Sequence, residues 1–454
     1  MTTARRPDDV ISLRTAAGAW FLISLQTFGG PAGQIAVMQR TLVDERRWVG
    51  QQRFLFALSY CTLLPGPEAQ QLATYVGWLL NGLRGALVAG ILFVLPGVVA
   101  IMALSVVYVS YGDTTVLDGL FLGLGPAVLA IVVQAVVRVA GKGLTHPALV
   151  AVAAASFVAL TFLAVPFPVV VAAAAATGWV LGRRYPSFAR PAPVGAADGP
   201  APLVPDDALH SERPTVRRSV LVLVVGLLLW TTPVLLAGAV LGRQSILVDQ
   251  GLFFGGTAVV SFGGAYAVLA FVAQRAVEVY GWLAPGEMVR GLALAETTPG
   301  PLIMVVQFVA FVGAYRDPGA LAPWVAAVLA ALLTTWVTFV PSFVFILLGA
   351  PYVERLRGNR ALACALAGIT AAVVGVIASL ALYFSLHTLF DQTRHLSPWL
   401  LSFDVPRLAT VRWDAVAMAG LGFALVLGAR WSVLRTLGVC AAVGLAVGVA
   451  RSLA

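Results

Sequence analysis

The sequence predicts an all-α polytopic membrane protein that is built from two inverted-topology repeats. The chain has 454 residues, of which 60% are hydrophobic and 11% are charged, and its mean hydropathy is +0.92. A soluble protein of this length carries a far more charged surface. Apolar runs of about twenty residues recur, which is the length that an α-helix needs to cross the hydrocarbon core. The remaining observation is an internal duplication.

Two helix-breaking stretches reveal this duplication. Proline removes a backbone donor and ends a helix, and broken backbone is tolerated in hydrocarbon only where protein or a water-filled cavity covers it. One ungapped offset of 234 residues relates the breaks, so we expect both to mark one kind of site. The matching stretches are Pro65-Gly66-Pro67 with Pro299-Gly300-Pro301, Phe28-Gly29-Gly30 with Phe262-Gly263-Gly264, and Trp48 with Trp282.

The first repeat is expected to occupy residues 1–182. Its first apolar segment, about 14–39, carries the Phe28-Gly29-Gly30 stretch in its middle. The second segment, about 54–80, contains the first Pro-Gly-Pro break. The remaining apolar segments are expected at about 85–111 and 116–137, and at 147–182, which is long enough for two helices.

A cytoplasmic linker is predicted at residues 183–218, where seven prolines exclude regular structure and six arginines outnumber four acids. The apolar segment 219–241 has no counterpart in the first half and is predicted to be a linking transmembrane helix. The second repeat, residues 242–454, then follows the order of the first. Its apolar segments are expected at 250–274, 288–313, 320–349, 361–386, 408–428 and 431–450.

A single crossing after a cytoplasmic linker would place the second repeat upside down. The loop 351–360 is basic, whereas the matching loop near Asp113 and Asp118 is acidic, as the positive-inside rule expects of inverted repeats. Two topologies of the broken segments stay open. Simple crossings would put the arginine-rich loop 40–53 outside, and re-entrant hairpins, which we favour, would keep it in the cytoplasm.

Each break places glycine or proline directly before an apolar helix. Helix N-termini carry unpaired N–H groups and about half a positive charge, so they bind anions. Four converging termini would hold an anion near the midplane. The alternative is that the glycines only permit close packing. The expected substrate-binding residues are Gly29, Gly30, Pro31, Gly33, Gln34, Pro65, Gly66, Pro67, Glu68, Gln71, Gly263, Gly264, Tyr266, Thr298, Pro299, Gly300 and Pro301.

Glu68 and Glu296 are the acids nearest the breaks, and carboxylates within membrane segments are functional candidates. A carboxylate beside a dianion is repelled unless it is protonated, so both are candidates for proton coupling. The alternative for Glu68 is a carboxylate that stabilises the first turn of its helix.

Several function classes find no support in the sequence. The net charge of +9 comes from arginines between apolar segments, which indicates membrane topology rather than nucleic-acid binding. The three cysteines and four histidines show no metal-ligand spacing. No nucleophile with a base, phosphate loop or nucleotide motif occurs, so we expect neither an enzyme nor a cofactor.

The motifs around the breaks resemble the chromate ion transporter family over about residues 14–386. The resemblance implies a long-chain, two-domain member that exports chromate across the bacterial inner membrane. Ala265 stands where the family pattern leads us to expect glycine. The stretches that carry the resemblance are Phe28 to Ala36, Leu64 to Leu72, Phe93 to Gly97, Phe262 to Leu269 and Glu296 to Pro301.

The membrane potential favours export, because each negative charge gains about 2.3 kcal/mol per 100 mV on leaving a negative cytoplasm. Sulfate has the same charge and nearly the same shape as chromate, so sulfate is a second expected partner beside the lipid bilayer. The alternatives that stay open are an anion channel and a sulfate or oxyanion exchanger. A homodimer is left open as well.

Overall fold

The computed structural model is helical over the residues that it describes, apart from loops and one two-stranded antiparallel sheet. The residues that the structure describes are 10–28, 30–62, 64–111, 114–184, 202–204, 215–261, 265–284, 286–353, 360–396, 398 and 401–453. The helices of the first half are α1 Leu13–Gln26, α2 Gly30–Gln39, α3 Gln51–Cys61, α4 Glu68–Tyr111, α5 Thr115–Gly143, α6 Pro147–Phe162 and α7 Phe167–Arg184.

The second half contributes nine helices and the sheet within these described ranges. The helices are α8 Val216–Leu241, α9 Ile246–Val260, α10 Ala265–Gln274, α11 Glu287–Thr297, α12 Val305–Arg316, α13 Pro323–Val353, α14 Arg360–Leu389, α15 Trp413–Phe423 and α16 Val433–Leu453. The strands are β1 Thr393–Leu396 and β2 Phe403–Pro406. Short π-helical turns extend α2, α10 and α15, and one 3₁₀ turn precedes α12.

Six helices of the described chain are long and apolar enough to span a membrane. They confirm the predicted all-α polytopic class. Helix α8, the predicted linking helix, exposes leucine and valine around most of its circumference, which suits contact with lipid. The six spans are residues 68–111, 116–141, 216–241, 323–352, 363–389 and 433–451.

The two halves build their broken segments with the same elements in the same order. Helices α1 to α4 of the first half match α9 to α12 of the second. Trp48 N donates to Leu42 O over 2.8 Å, and Trp282 N donates to Ala276 O over 2.8 Å. Each pair is related by the 234-residue offset, so the duplication extends to individual hydrogen bonds.

In each half the broken helices begin and end close together. A Cβ on Gly313 would lie 2.9 Å from Trp282 Cβ and 3.0 Å from Gln250 Nε2. The start of α9, the loop before α11 and the end of α12 therefore meet. In the first half, Val10 N donates to Leu80 O over 3.2 Å, which joins the start of α1 to the end of the first part of α4.

Helix α4 kinks at Asn81 and Gly82, where the backbone is not helical. The part beyond the kink, residues 83–111, spans about 43 Å at 1.5 Å per residue. Its near end adjoins the first half's broken helices, whereas Tyr108 near its far end donates to Glu287 at the start of α11. The broken helices of the two halves thus start from opposite ends of this long helix.

The described part of the linker contacts the loop between α2 and α3. Val204 N donates to Trp48 O over 3.0 Å, and Gly50 N donates to Val204 O over 3.1 Å. At the linker's end, the hydroxyls of Ser219 on α8 and Tyr352 on α13 lie 2.9 Å apart. Residues 185–201 and 205–214 of the predicted linker, and 354–359 of the predicted basic loop, lie outside the described residues.

Candidate functional site

Each Pro-Gly-Pro turn forms a hydrogen bond with the opposite half of the chain. Gly66 has a φ of +117° and Gly300 a φ of +105°, a backbone conformation that only glycine adopts readily. Gly66 N donates to Ser261 O over 2.8 Å, and Gly300 N donates to Thr27 O over 3.1 Å. Thr27 and Ser261 cap the C-terminal ends of α1 and α9. The four breaks therefore meet in two pairs, and the pairs lie close together, because Gly66, Ser261 and Ile303 line one cavity.

Each turn also packs against the long helix of the other half. A Cβ on Gly300 would lie 3.0 Å from Gly97 Cα on α4. A Cβ on Gly66 would lie 2.6 Å from Ser342 Oγ on α13. Gly97 and Ser342 each follow a proline inside their helix, at related positions. The two contacts are reciprocal, and side chains on these glycines would force the halves apart.

Buried glutamines line the turns. Gln34 Nε2 donates to Gly300 O, and Gln71 Nε2 donates to Pro65 O over 2.7 Å. Gln70 Nε2 donates to Thr74 Oγ1 over 3.1 Å. The Oε1 atoms of these three glutamines have no hydrogen-bond partner among the described residues. The site thus holds polar groups with unused hydrogen-bonding capacity in an apolar interior.

A small cavity lies beside the first turn. Its volume of about 10 Å³ has room for roughly one water molecule. The described residues that line it carry no charge, so the cavity is neutral, and in this conformation it is too small for an oxyanion. They are Gly66, Pro67, Phe254, Thr257, Ala258, Ser261, Val268, Ile303, Val306 and Thr338.

The two candidate coupling carboxylates lie in different surroundings. Glu68 is the first residue of α4, is half-buried, and makes no ion pair with the described residues. Glu296 is fully buried in the last turn of α11. Beside it, Thr298 Oγ1 donates to Ala295 O over 3.0 Å and closes the end of that helix.

The structure brings most of the predicted residues to these turns. Gly30, Pro31 and Gly33 form the first turn of α2, and Pro67 immediately precedes α4. Gly29, Gly263 and Gly264 lie outside the described residues, and the side chain of Tyr266 does too. The predicted residues that meet at the turns are Gln34, Pro65, Gly66, Pro67, Gln71, Thr298, Pro299, Gly300 and Pro301.

Sequence reasoning missed Thr338, Thr257 and Ser261, which line the cavity. Thr257 and Ser261 carry no sequence signal that distinguishes them from other hydroxyl residues in apolar helices. Thr338 and Ser342 lie four residues apart on α13, which places both on one helix face. That spacing was the available signal.

Two buried charges near the helix starts were also missed. Arg53, which was predicted to end the arginine-rich loop 40–53, lies on α3 and is 1% exposed. Glu287 occupies the related position on α11, 234 residues later. Arg316 donates to both oxygens of Glu287 over 2.6 and 2.8 Å, and Tyr108 donates over 2.6 Å.

Glu287 is held ionised by this arrangement. Burial alone would raise its pKa, but hydrogen bonds from Arg316, Tyr108 and the Ala284 N–H favour the carboxylate, and its pKa is lowered overall. Three elements meet at this ion pair, namely α4, α11 and α12. The pair therefore fastens the end of the second half's broken helices.

The chromate transporter family model matches residues 15–179 and 248–446, which include both pairs of broken helices. A chromate transport protein of Pseudomonas aeruginosa is 32% identical over 361 residues, covering 78% of this chain and 76% of that protein. No solved structure matches.

Two further relatives are also named as chromate transport proteins. A chromate transport protein of Cupriavidus metallidurans is 26% identical, covering 80% of each chain. A probable chromate transport protein of Synechococcus elongatus is 25% identical, covering 86% of this chain and 91% of that protein. These relatives are transport proteins and not enzymes. With its apolar spans, its paired helix breaks and these matches, the chain belongs to the chromate transporter family and is a multi-pass membrane protein, which in bacteria lies in the inner membrane.

Proposed function

We propose that this chain carries chromate out of the cytoplasm through the site at the four breaks. The observation that carries the proposal is the reciprocal pairing of Gly66 with Ser261 and of Gly300 with Thr27. It joins two repeats through unwound backbone, which is where other transporters built from repeats bind their substrates. The names of the relatives supply the substrate.

The chemistry at the breaks suits an anion that is held without a cationic side chain. The first N–H groups of α2, α4 and α10 have no acceptor within their own helices. They add the positive end of each helix dipole. When Gly66 N releases Ser261 O, that N–H becomes a further donor. Backbone donors of this kind bind tetrahedral oxyanions, sulfate included.

We also propose that the repeats are inverted and that the broken helices are re-entrant hairpins. Their ends meet on opposite sides of the long part of α4, next to Leu80 in one half and next to Tyr108 in the other. The contact of Val204 with Trp48 supports a cytoplasmic loop between α2 and α3. An open channel fits less well, because the cavity holds about one water molecule.

The topology gives a direct prediction. Single cysteines introduced at Arg47 and at 351–360 should react only with a reagent that reaches the cytoplasmic face. A cysteine at Thr114 or Gly281 should react from outside the cell. The measurement is labelling of whole cells with a membrane-impermeant maleimide in a background without native cysteines. External labelling at 351–360 would contradict the inverted arrangement, and external labelling at Arg47 alone would contradict the hairpins.

Export is tested by chromate uptake into inside-out vesicles. A potential that is positive inside the vesicle reproduces the cellular gradient and should accelerate uptake of radiolabelled chromate. A dianion gains about 4.6 kcal/mol per 100 mV in that direction. Vesicles from cells without the protein are the control. Uptake that occurs only in right-side-out vesicles would contradict export.

Glu68 is expected to set the pH dependence of transport. Its half-buried carboxylate stands in the first turn of α4, directly after the Gly66 turn. Glu68→Gln mimics the protonated form, so chromate flux should persist but lose its dependence on pH. The measurement is flux across a pH series in proteoliposomes. Parallel pH curves for both proteins would leave Glu68 with the role of a helix cap only.

A further inference from the structure

The cavity beside Gly66 has a counterpart in the other half of the molecule. The 234-residue offset relates Gly66 to Gly300 and Ser261 to Thr27, so the counterpart is the space beside Gly300. Both positions lie where a Pro-Gly-Pro turn meets the end of a helix of the opposite half. The two positions share their backbone plan and differ in their side chains.

Most residues that line the cavity correspond to larger side chains in the counterpart, whereas Ile303 corresponds to the smaller Ala69. Val268 at the cavity corresponds to Gln34, whose amide donates to Gly300 O and occupies that space. Thr338 corresponds to Phe93, because the long helices of the two halves are related by an offset of 245 residues. Phe93 is fully buried. Two further lining residues are also larger in the counterpart: Phe254 corresponds to Trp20, and Thr257 corresponds to Ile23.

The cavity also contains an unused hydroxyl. Thr338 is 4% exposed, and its Oγ1 has no hydrogen-bond partner among the described residues. The other hydroxyls of the lining are occupied, because Thr257 donates to Phe253 O over 2.7 Å and Ser261 donates to Ala258 O over 3.0 Å. A buried polar group without a partner is unfavourable unless a ligand or water completes it. The Thr338 hydroxyl is therefore available to donate a hydrogen bond to a ligand or a water molecule in the cavity.

We propose that the transported oxyanion binds at the cavity beside Gly66 alone, one per chain, with the Thr338 hydroxyl as a ligand. This inference rests on the proposed function. The cavity must widen to admit an oxyanion, and separation of Gly66 from Ser261 would widen it and free the Gly66 N–H as a second donor. The counterpart is closed by Gln34 and Phe93, so it holds the repeats together and binds no substrate.

The test fills the cavity with the residues of its counterpart. Val268→Gln and Thr338→Phe should each reduce chromate flux in proteoliposomes about a hundredfold or more, because the cavity has room for only one water molecule. Thr338→Val keeps the volume but removes the donor. It should raise the chromate concentration for half-maximal flux about tenfold, as expected for one hydrogen bond to a charged group.

Thr334→Val is the matched control. Thr334 is fully buried one turn earlier on α13, its hydroxyl also lacks a partner among the described residues, and it does not line the cavity. This variant should transport like the wild type. All variants are checked for a single symmetric peak by size-exclusion chromatography in detergent before reconstitution.

Binding of chromate to the purified wild-type protein, followed by calorimetry, should saturate at one per chain. If the wild type transports chromate and both Thr338→Val and Val268→Gln transport it equally well, the inference is overturned and the proposed function stays intact. A stoichiometry of two would do the same. Absence of chromate flux in the wild type would overturn the proposed function, and the inference would fall with it.

Discussion

Gly66→Ala and Gly300→Ala are each expected to lower chromate transport below about one hundredth of the wild-type rate, because two effects combine. A side chain at a φ above +100° is strained by about 1–3 kcal/mol. Its Cβ would also lie against Ser342 Oγ on α13 or against Gly97 Cα on α4. Valine at either position should have the stronger effect. Radiolabelled chromate flux in proteoliposomes is the measurement.

Gly281→Ala is the matched control for this prediction. Gly281 also has a positive φ, of +63°, but a Cβ there would meet no atom within 4 Å. The control carries a milder backbone strain, because +63° lies in the left-handed helical region, and it lacks the contact between halves, so it should keep most of its transport. Equal loss in all three variants would assign the effect to backbone strain. Full transport in Gly66→Ala and Gly300→Ala would show that the turns only pack the helices.

Removal of the Glu287 carboxylate should lower the free energy of unfolding far more than removal of an exposed carboxylate. Glu287→Leu leaves Arg316, Tyr108 and the Ala284 N–H without their acceptor, which we expect to cost about 2–3 kcal/mol. The midpoint of thermal unfolding in detergent should fall by several degrees. Asp118→Asn is the control, since the exposed pair of Asp118 with Arg290 is worth at most about 1 kcal/mol. Equal midpoints for the two variants would contradict this role.

The pH dependence of that stability has a definite sign. The pKa of Glu287 is lower in the folded protein than in the unfolded chain, so the unfolded chain binds more protons between the two values. Its contribution is complete above the ordinary pKa of about 4.3 and is lost as the pH falls through the folded value. The difference between the wild type and Glu287→Leu should therefore be constant near neutral pH and shrink in acid.

The repeated Pro-Gly-Pro turns were the most informative part of the sequence. Their common offset predicted that Gly66 and Gly300 occupy related positions, and the hydrogen bonds of Trp48 and Trp282 are related by the same offset. The predicted break near Phe28 was equally accurate, since α1 ends at Gln26 and α2 begins at Gly30. Proline and glycine act on the local backbone, so their effect can be predicted from sequence alone.

Contacts between distant residues could not be predicted in this way. Glu287 meets Tyr108 across 179 residues of sequence, and Arg53 is buried by packing that its charge would not suggest. The importance of Thr338 depends on a comparison with Phe93, which requires the second offset of 245 residues. Single hydroxyls and charges acquire their roles from tertiary neighbours, whereas helix breaks do not depend on them.

Counterflow of chromate in proteoliposomes tests the central claim most directly, that the four breaks form a carrier site for this anion. Vesicles loaded with unlabelled chromate are diluted into a trace of radiolabelled chromate. A carrier that alternates between two closed ends should accumulate label transiently above the external concentration, and Gly66→Ala should abolish this overshoot. Label that rises only to equilibrium would show a channel, and absence of any uptake by the wild type would contradict the account altogether.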